Sequence, residues 1–177
     1  LIEALKDEEF PVRVSAAEAL GKMGAAAKAA IPALLEALKD NNEFVSSRAG
    51  IALANMGAAA ETAVPGLIEA LKSEDSKVRE IAVFTLRRMG TVAKPAIPAL
   101  MEMLKHKDSK VRLMAASALV GVGAEASAIV PVLIEPLKHP DQLQTWDGNF
   151  ILLAITMLGE IGPEAKAAVP TLIEYLK

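Results

Sequence analysis

The sequence predicts an all-α fold of the solenoid kind, and three observations carry the prediction. A segment recurs at a fixed step: "IPALLEALKD" from Ile31, "VPGLIEALKS" from Val64, "IPALMEMLKH" from Ile97 and "VPVLIEPLKH" from Val130 are 33 residues apart, and "VPTLIEYLK" from Val169 follows after 39. The second half of the unit recurs too, closing on Gly24, Gly57, Gly90, Gly123 and Gly162. The composition is 53% hydrophobic but only 3% aromatic, which makes a core of Ala, Leu, Ile, Val and Met and favours closely stacked helices over a β-sandwich.

Each unit reads as two helices. Pro32, Pro65, Pro98, Pro131 and Pro170 stand where a helix accepts proline, in its first turn, because that residue's N–H has no intrahelical partner. A lysine ends the first helix (Lys6, Lys39, Lys72, Lys105, Lys138, Lys177) and suits the negative end of its dipole. A short polar turn leads to a second helix of about four turns, which the glycine stops as a left-handed cap. Neither helix buries its apolar stripe alone, so the units must stack.

The opening "LIEALKD" is the same segment without its first three residues. The expected organisation is a single repeat domain with units at about 1–30, 31–63, 64–96, 97–129 and 130–168, and a final partial unit at 169–177. The fifth unit carries six extra residues, "DQLQTW" at 141–146, in its turn, including the only tryptophan. Pro136 interrupts the helix before it and is expected to kink it. Trp146 either anchors a partner at the rim or folds back over that helix.

Composition narrows the function. The formal net charge is -3 and the pI about 5.5, so no global positive field draws the chain to nucleic acid or anionic membrane. The longest uncharged runs, 113–124 and 150–159, fall short of the roughly 18 to 20 residues that span a bilayer, so no membrane insertion is expected. Without cysteine there are no disulfides, thiolate metal sites or cysteine nucleophiles. The compartment is left open, the cytoplasm slightly favoured, and the sequence starts with neither an initiator methionine nor a signal-peptide pattern.

The segments "DSKVREIAVFTLRRMG" (75–90) and "DSKVRLMAASALVGVG" (108–123), each followed by a loop and "IP" or "VP", resemble HEAT repeats of the short bacterial type named after phycobilisome lyases. The resemblance covers the whole chain, as about five repeats and a closing helix. It implies a right-handed, gently curved superhelix with first helices on the convex side and second helices lining the concave side. It also implies an Asp/Arg ladder between neighbouring second helices, matched by Asp75 with Arg79, Asp108 with Arg112 and loosely Glu9 with Arg13. Asn42 with Ser46 breaks the ladder in the second unit, and Ile151 beside Asp147 breaks it in the fifth. The family includes scaffolds, adaptors and a few enzymes, so a bilin lyase or isomerase subunit is the alternative, with Arg48, Arg87 and Arg88 pairing the propionates of a tetrapyrrole.

Much of what recurs is structural. The glutamate three residues before each lysine makes a weak exposed pair. His106 and His139 occupy one turn position in consecutive units and lack further ligands, and Met23, Met56 and Met89 at another position read as core filler. No phosphate-cradling loop, metal-binding helix motif or nucleophile elbow is present, so neither catalysis nor a cofactor is expected.

The departures from the repeat point to binding. At about 100° per residue, Val78, Ala82, Thr85 and Met89 face the core, and Glu80, Phe84, Arg87 and Arg88 occupy the opposite arc. The same slots along the chain give Ile51, Ile81, Phe84, Leu113, Met114, Leu152 and Leu153, an apolar stripe rimmed by Arg48, Lys77, Arg87, Arg88 and Lys110. An exposed apolar stripe edged by charge marks an interaction site; the alternative is that superhelical twist tucks these side chains into contacts between repeats, or that further parts of the chain cover them. The expected function is therefore a non-catalytic scaffold or adaptor whose concave groove holds a peptide or helix of another protein, with some acidic residues. The unfinished repeats at both ends, Leu1 and Ile2 at one and "TLIEYLK" at the other, also allow end-to-end stacking on further repeats or on another copy.

Overall fold

Three second helices of this chain start where a side chain replaces the missing intrahelical acceptor. Asp75 Oδ1 accepts from the Lys77 N–H (2.8 Å), Asp108 Oδ1 from Lys110 (2.8 Å) and Asn42 Oδ1 from Phe44 (3.0 Å), and each residue is the N-cap of the helix it precedes. In the computed structural model, which describes residues 1–106, 108–138 and 149–175, the second helices are α1 (Phe10–Met23), α3 (Glu43–Asn55), α5 (Ser76–Met89), α7 (Ser109–Val122) and α9 (Asn149–Ile161). The first helices are α2 (Ile31–Ala37), α4 (Val64–Ala70), α6 (Ile97–Met103), α8 (Ala126–Lys138) and α10 (Val169–Tyr175), with a short 3-10 turn at Glu3–Lys6 in place of the first of them. No strand occurs among the described residues.

Glycine ends α5 because the chain must reverse there with positive φ. Gly90 sits at φ 60° and ψ −137°, a conformation that side chains disfavour. The stretch after it is a 3-10 segment, Gly90–Ala96, and Gly24–Ala30, Gly57–Ala63 and Gly162–Ala168 repeat it. The fourth unit differs. Gly123 takes the left-handed cap at φ 74°, ψ 44°, and α8 starts at Ala126 without a 3-10 segment, so Pro131 lies in its second turn. Pro32, Pro65, Pro98 and Pro170 keep the first-turn placement that the sequence implies, but Pro131 does not. The helical path of α8 also runs on through Pro136 to Lys138.

One apolar cluster runs the length of the stack. Leu34, Leu67, Leu100 and Leu133 of the first helices are fully buried, as are Leu53, Leu86 and Leu119 of the second. Each contributes on the order of 1.5–3 kcal/mol relative to exposure. Consecutive second helices pack along one another, α1 on α3, α3 on α5 and α5 on α7. Small residues allow the approach: a Cβ on Gly21 would come within 2.9 Å of the Ala52 Cα, and one on Gly50 within 2.5 Å of Thr85 Oγ1. Thr85 is itself buried and its hydroxyl donates to the Ile81 carbonyl at 2.7 Å. Met56 and Met89 fill the core as expected, but Met23, at the first unit, is 49% exposed.

The Asp/Arg ladder takes another form. The aspartates cap helices, as above, while the arginines grip the turn before their own helix. Arg79 donates to the Ser73 and Glu74 carbonyls, Arg112 to that of His106, and Arg13 to those of Asp7 and Glu8. The bonds to the next repeat use other acids: Arg13 pairs in a fork with Asp40 at 2.7 and 3.0 Å, and Arg112 with Glu135 at 3.2 Å. Burial pushes the Asp40 carboxyl up, but the hydrogen bonds from Arg13 and the Asn42 N–H outweigh it and hold the group below its ordinary value. Ser46, in the arginine slot of the second unit, bonds back to the Asn42 and Glu43 carbonyls.

Candidate functional site

Two phenylalanines stand open on the face formed by the second helices. Phe84 is 42% exposed and carries the Arg88 guanidinium over its ring at 5.6 Å from the centroid, a cation–π contact between residues one turn apart. Phe44, in the first turn of α3, is 70% exposed and lies four and seven residues before Arg48 and Ile51, hence on their side of the helix. Phe44 belongs to the same face but was not part of the expected stripe. Its signal was present in the sequence, since the corresponding slot in the next two units holds Lys77 and Lys110.

The rest of the stripe is less open than the helical wheel implies. Leu113 is buried, at 2% exposure. Its slot faces the following second helix, because Glu80 in the same slot of α5 is paired with Lys110 of α7. Leu113 accordingly turns toward α9 and belongs to the core, not to an exposed stripe. Leu152 has this slot in α9, on which no further second helix packs among the described residues, and stands 60% exposed. Ile51, Ile81, Met114 and Leu153 are half-buried, the last three against the core. Ile81 is lodged over Gly50, where its Cγ2 would lie 3.0 Å from a Cβ. Trp146, the 141–146 insertion, Asp147 and His139 lie outside the described residues.

Charge distinguishes this face from the remainder of the molecule. Its outward rows carry Lys22, Arg48, Lys77, Arg87, Arg88 and Lys110 against Glu18, Glu80 and Glu160, a cationic excess on a chain of net charge -3. Three pairs staple neighbouring or next-neighbouring helices: Arg48 with Glu18 at 3.4 Å, Lys110 with Glu80, and Arg87 with Glu160 at 2.9 Å. Among the described residues Lys22, Lys77 and Arg88 make no ion pair. Between α1 and α3 the face holds a hollow of about 170 Å³, floored by Gly21, Ile51 and Ala52 and edged by Glu18, Lys22, Arg48 and Asn55. It is smaller than the roughly 300 Å³ at which pockets for drug-sized ligands begin.

The opposite side is plainly solvated. Lys39 with Glu36, Lys72 with Glu69 and Lys105 with Glu102 are pairs three residues apart whose side chains are all more than half exposed. His106 Nδ1 accepts from the Asp108 N–H at 3.0 Å and so serves its turn. Among the described residues no three acidic or histidine side chains are placed to hold a metal ion, and no single helix is long and apolar enough to cross a membrane. At the ends of the stack Leu1, Ile2 and Ile173 are exposed.

Paired antiparallel helices stacked on a shared core, with a charged and aromatic face along the second helices, define an α-solenoid repeat protein. The HEAT repeat family model matches residues 1–87 and 64–145, and the chain belongs to that family. No curated protein matches it in sequence. Among solved structures it is similar to a designed armadillo repeat protein in complex with the peptide (KR)4, at 15% identity and TM-score 0.58 over 98% of this chain and 89% of the other. It is similar to an engineered protein at 22% identity and TM-score 0.55, over 98% and 83% of the two chains. An archaeal HEAT-like repeats protein from Thermococcus onnurineus NA1 is similar at 17% identity and TM-score 0.54, over 90% and 68%. At these identities the likeness is one of fold.

Proposed function

We propose that the chain is a non-catalytic interaction module, a single repeat domain whose second-helix face, the concave side of the superhelix, takes an amphipathic helix or extended segment of another protein. The observation that carries this reading is the pair of open phenylalanines, Phe44 and Phe84, set among cations on an otherwise acidic chain. Apolar surface of this kind has no use in a solenoid that needs only to stay in solution, and aromatic residues beside arginine are the side chains that dominate interface energetics. The cationic excess gives the partner its complementary character: apolar residues alternating with Asp or Glu. A solenoid is suited to such a task, and the designed armadillo repeat structure of similar fold is one in complex with a peptide. The tetrapyrrole alternative would need propionates to displace Glu18 from Arg48 and Glu160 from Arg87.

Selection of random peptides displayed on phage against the immobilised protein tests the proposal. Enriched sequences should combine Leu, Ile or Phe with Asp or Glu, and should lose binding to Phe84→Asp and Phe44→Asp variants that keep the wild-type circular dichroism spectrum. Enriched peptides that are neutral or basic, or that bind both variants unchanged, would refute it.

A further inference from the structure

We propose that Arg87 and Ser117 form a carboxylate-binding site, filled in the free protein by the chain's own Glu160 and taken over by an Asp or Glu side chain of the bound segment. The inference rests on the function proposed above and specifies the chemistry of one point of contact. Arg87 Nη1 donates to Ser117 Oγ at 2.7 Å, and Nη2 donates to both Glu160 oxygens at 2.9 and 3.0 Å. The guanidinium thus reaches from α5 to α9 across the whole width of α7.

That reach depends on α7 being bare at this point. Gly121 and Ser117 occupy rows that elsewhere hold Lys22, Asn55 and Arg88, and Glu18, Ile51 and Phe84. A Cβ on Gly121 would stand 2.5 Å from Arg87 Cγ and 2.8 Å from the Arg87 carbonyl oxygen, so the arginine lies in the trough that the missing side chain leaves. Neither charged residue belongs to the repeat. The slot of Arg87 holds Gly21, Ala54, Val120 and Gly159 in the other units, and the slot of Glu160 holds no other acid. Helix packing demands neither residue there. Together they make a preformed site whose present occupant is a carboxylate.

The pair is also replaceable. The side chains are 30% and 41% exposed, and an ion pair so open to water adds little to stability and exchanges readily for a competing anion. Phe84 is one turn before Arg87, and Arg88, without an ion pair among the described residues, is the next in sequence. A chain that rests an apolar side chain beside Phe84 therefore delivers a neighbouring carboxylate to the Arg87 guanidinium, with Glu160 as its competitor.

Fluorescence anisotropy with a labelled eight-residue peptide of alternating Leu and Glu, and with its Leu–Gln counterpart, tests this on the full chain. Removal of the competitor by Glu160→Gln or Glu160→Ala should tighten the Leu–Glu peptide about three- to tenfold, the inverse of the fraction of time the site stands free, and leave the Leu–Gln peptide unchanged. Arg87→Gln should weaken the Leu–Glu peptide and erase the gain in the double variant. If both Glu160 variants bind the Leu–Glu peptide no more tightly than wild type, while Phe84→Asp still abolishes binding, the competing site is wrong and the face stands. If neither peptide binds wild type or any Glu160 variant, the site and the face fall together.

Discussion

Leu113 and Phe84 look alike on a helical wheel and differ in the folded chain, which makes them a matched pair for measurement. Leu113→Ala removes a side chain that is 98% buried between α7 and its neighbours, and such truncations cost about 2–5 kcal/mol through lost transfer energy and the cavity left behind. Phe84→Ala removes one that is 42% exposed. Roughly half of the ~2–3 kcal/mol for burying a phenylalanine is at stake, and alanine's helix propensity returns about 0.5 kcal/mol of it, so the expected loss is ~1 kcal/mol or less. At about 2–4 °C per kcal/mol for a chain of this length, the melting midpoint should fall by roughly 4–20 °C for Leu113→Ala and by no more than about 4 °C for Phe84→Ala. Thermal and urea unfolding followed by circular dichroism gives both values. Equal losses, or a Leu113→Ala protein within about 0.5 kcal/mol of wild type, would refute the assignment of one to the core and the other to the open face.

Other outcomes follow from the same contacts. Gly21→Ala and Gly121→Ala should each destabilise the protein by about 1–3 kcal/mol in spite of alanine's better helix propensity, because the new methyl meets backbone atoms of Ala52 and Arg87; an increase in urea midpoint for either would show that the helices can part at no cost. Asp40 has its carboxyl held below the ordinary range in the folded state, so its contribution is present above the unfolded pKa of about 3.9 and is lost as pH falls through the lower folded value. Asp40→Asn should therefore be less stable than wild type at pH 7 and should converge on it in strong acid, as urea midpoints across pH 2–7 will show; a constant difference across that range would contradict the Arg13 pairing. Phe44→Ala, at 70% exposure, should leave stability within about 0.5 kcal/mol of wild type while weakening peptide binding, and a large stability loss would place Phe44 in the core.

The repeat was legible because solenoid packing is local. Each helix touches the one before and the one after, so a 33-residue period in Pro, Lys and Gly translates directly into helix starts, ends and a buried leucine row. Phe84 and Arg88, one turn apart on one helix, were legible for the same reason. What a single helix cannot reveal is the cover supplied by the next one. Leu113 and Leu152 hold the same slot, yet one is buried and the other bare, because among the described residues only α7 has a further second helix packed on that side. The arginines of the expected ladder chose turn carbonyls and Asp40 over the capping aspartates, a choice set by which acceptors the folded turn leaves within reach. The contact between Arg87 and Glu160 spans 73 residues and exists because Gly121 leaves a trough between them. The sequence by itself determined the stack, its period and its buried rows. The tertiary structure alone decided which residues of the second-helix face are open and which charges meet across it, since exposure and pairing depend on side chains that the neighbouring repeats bring into range.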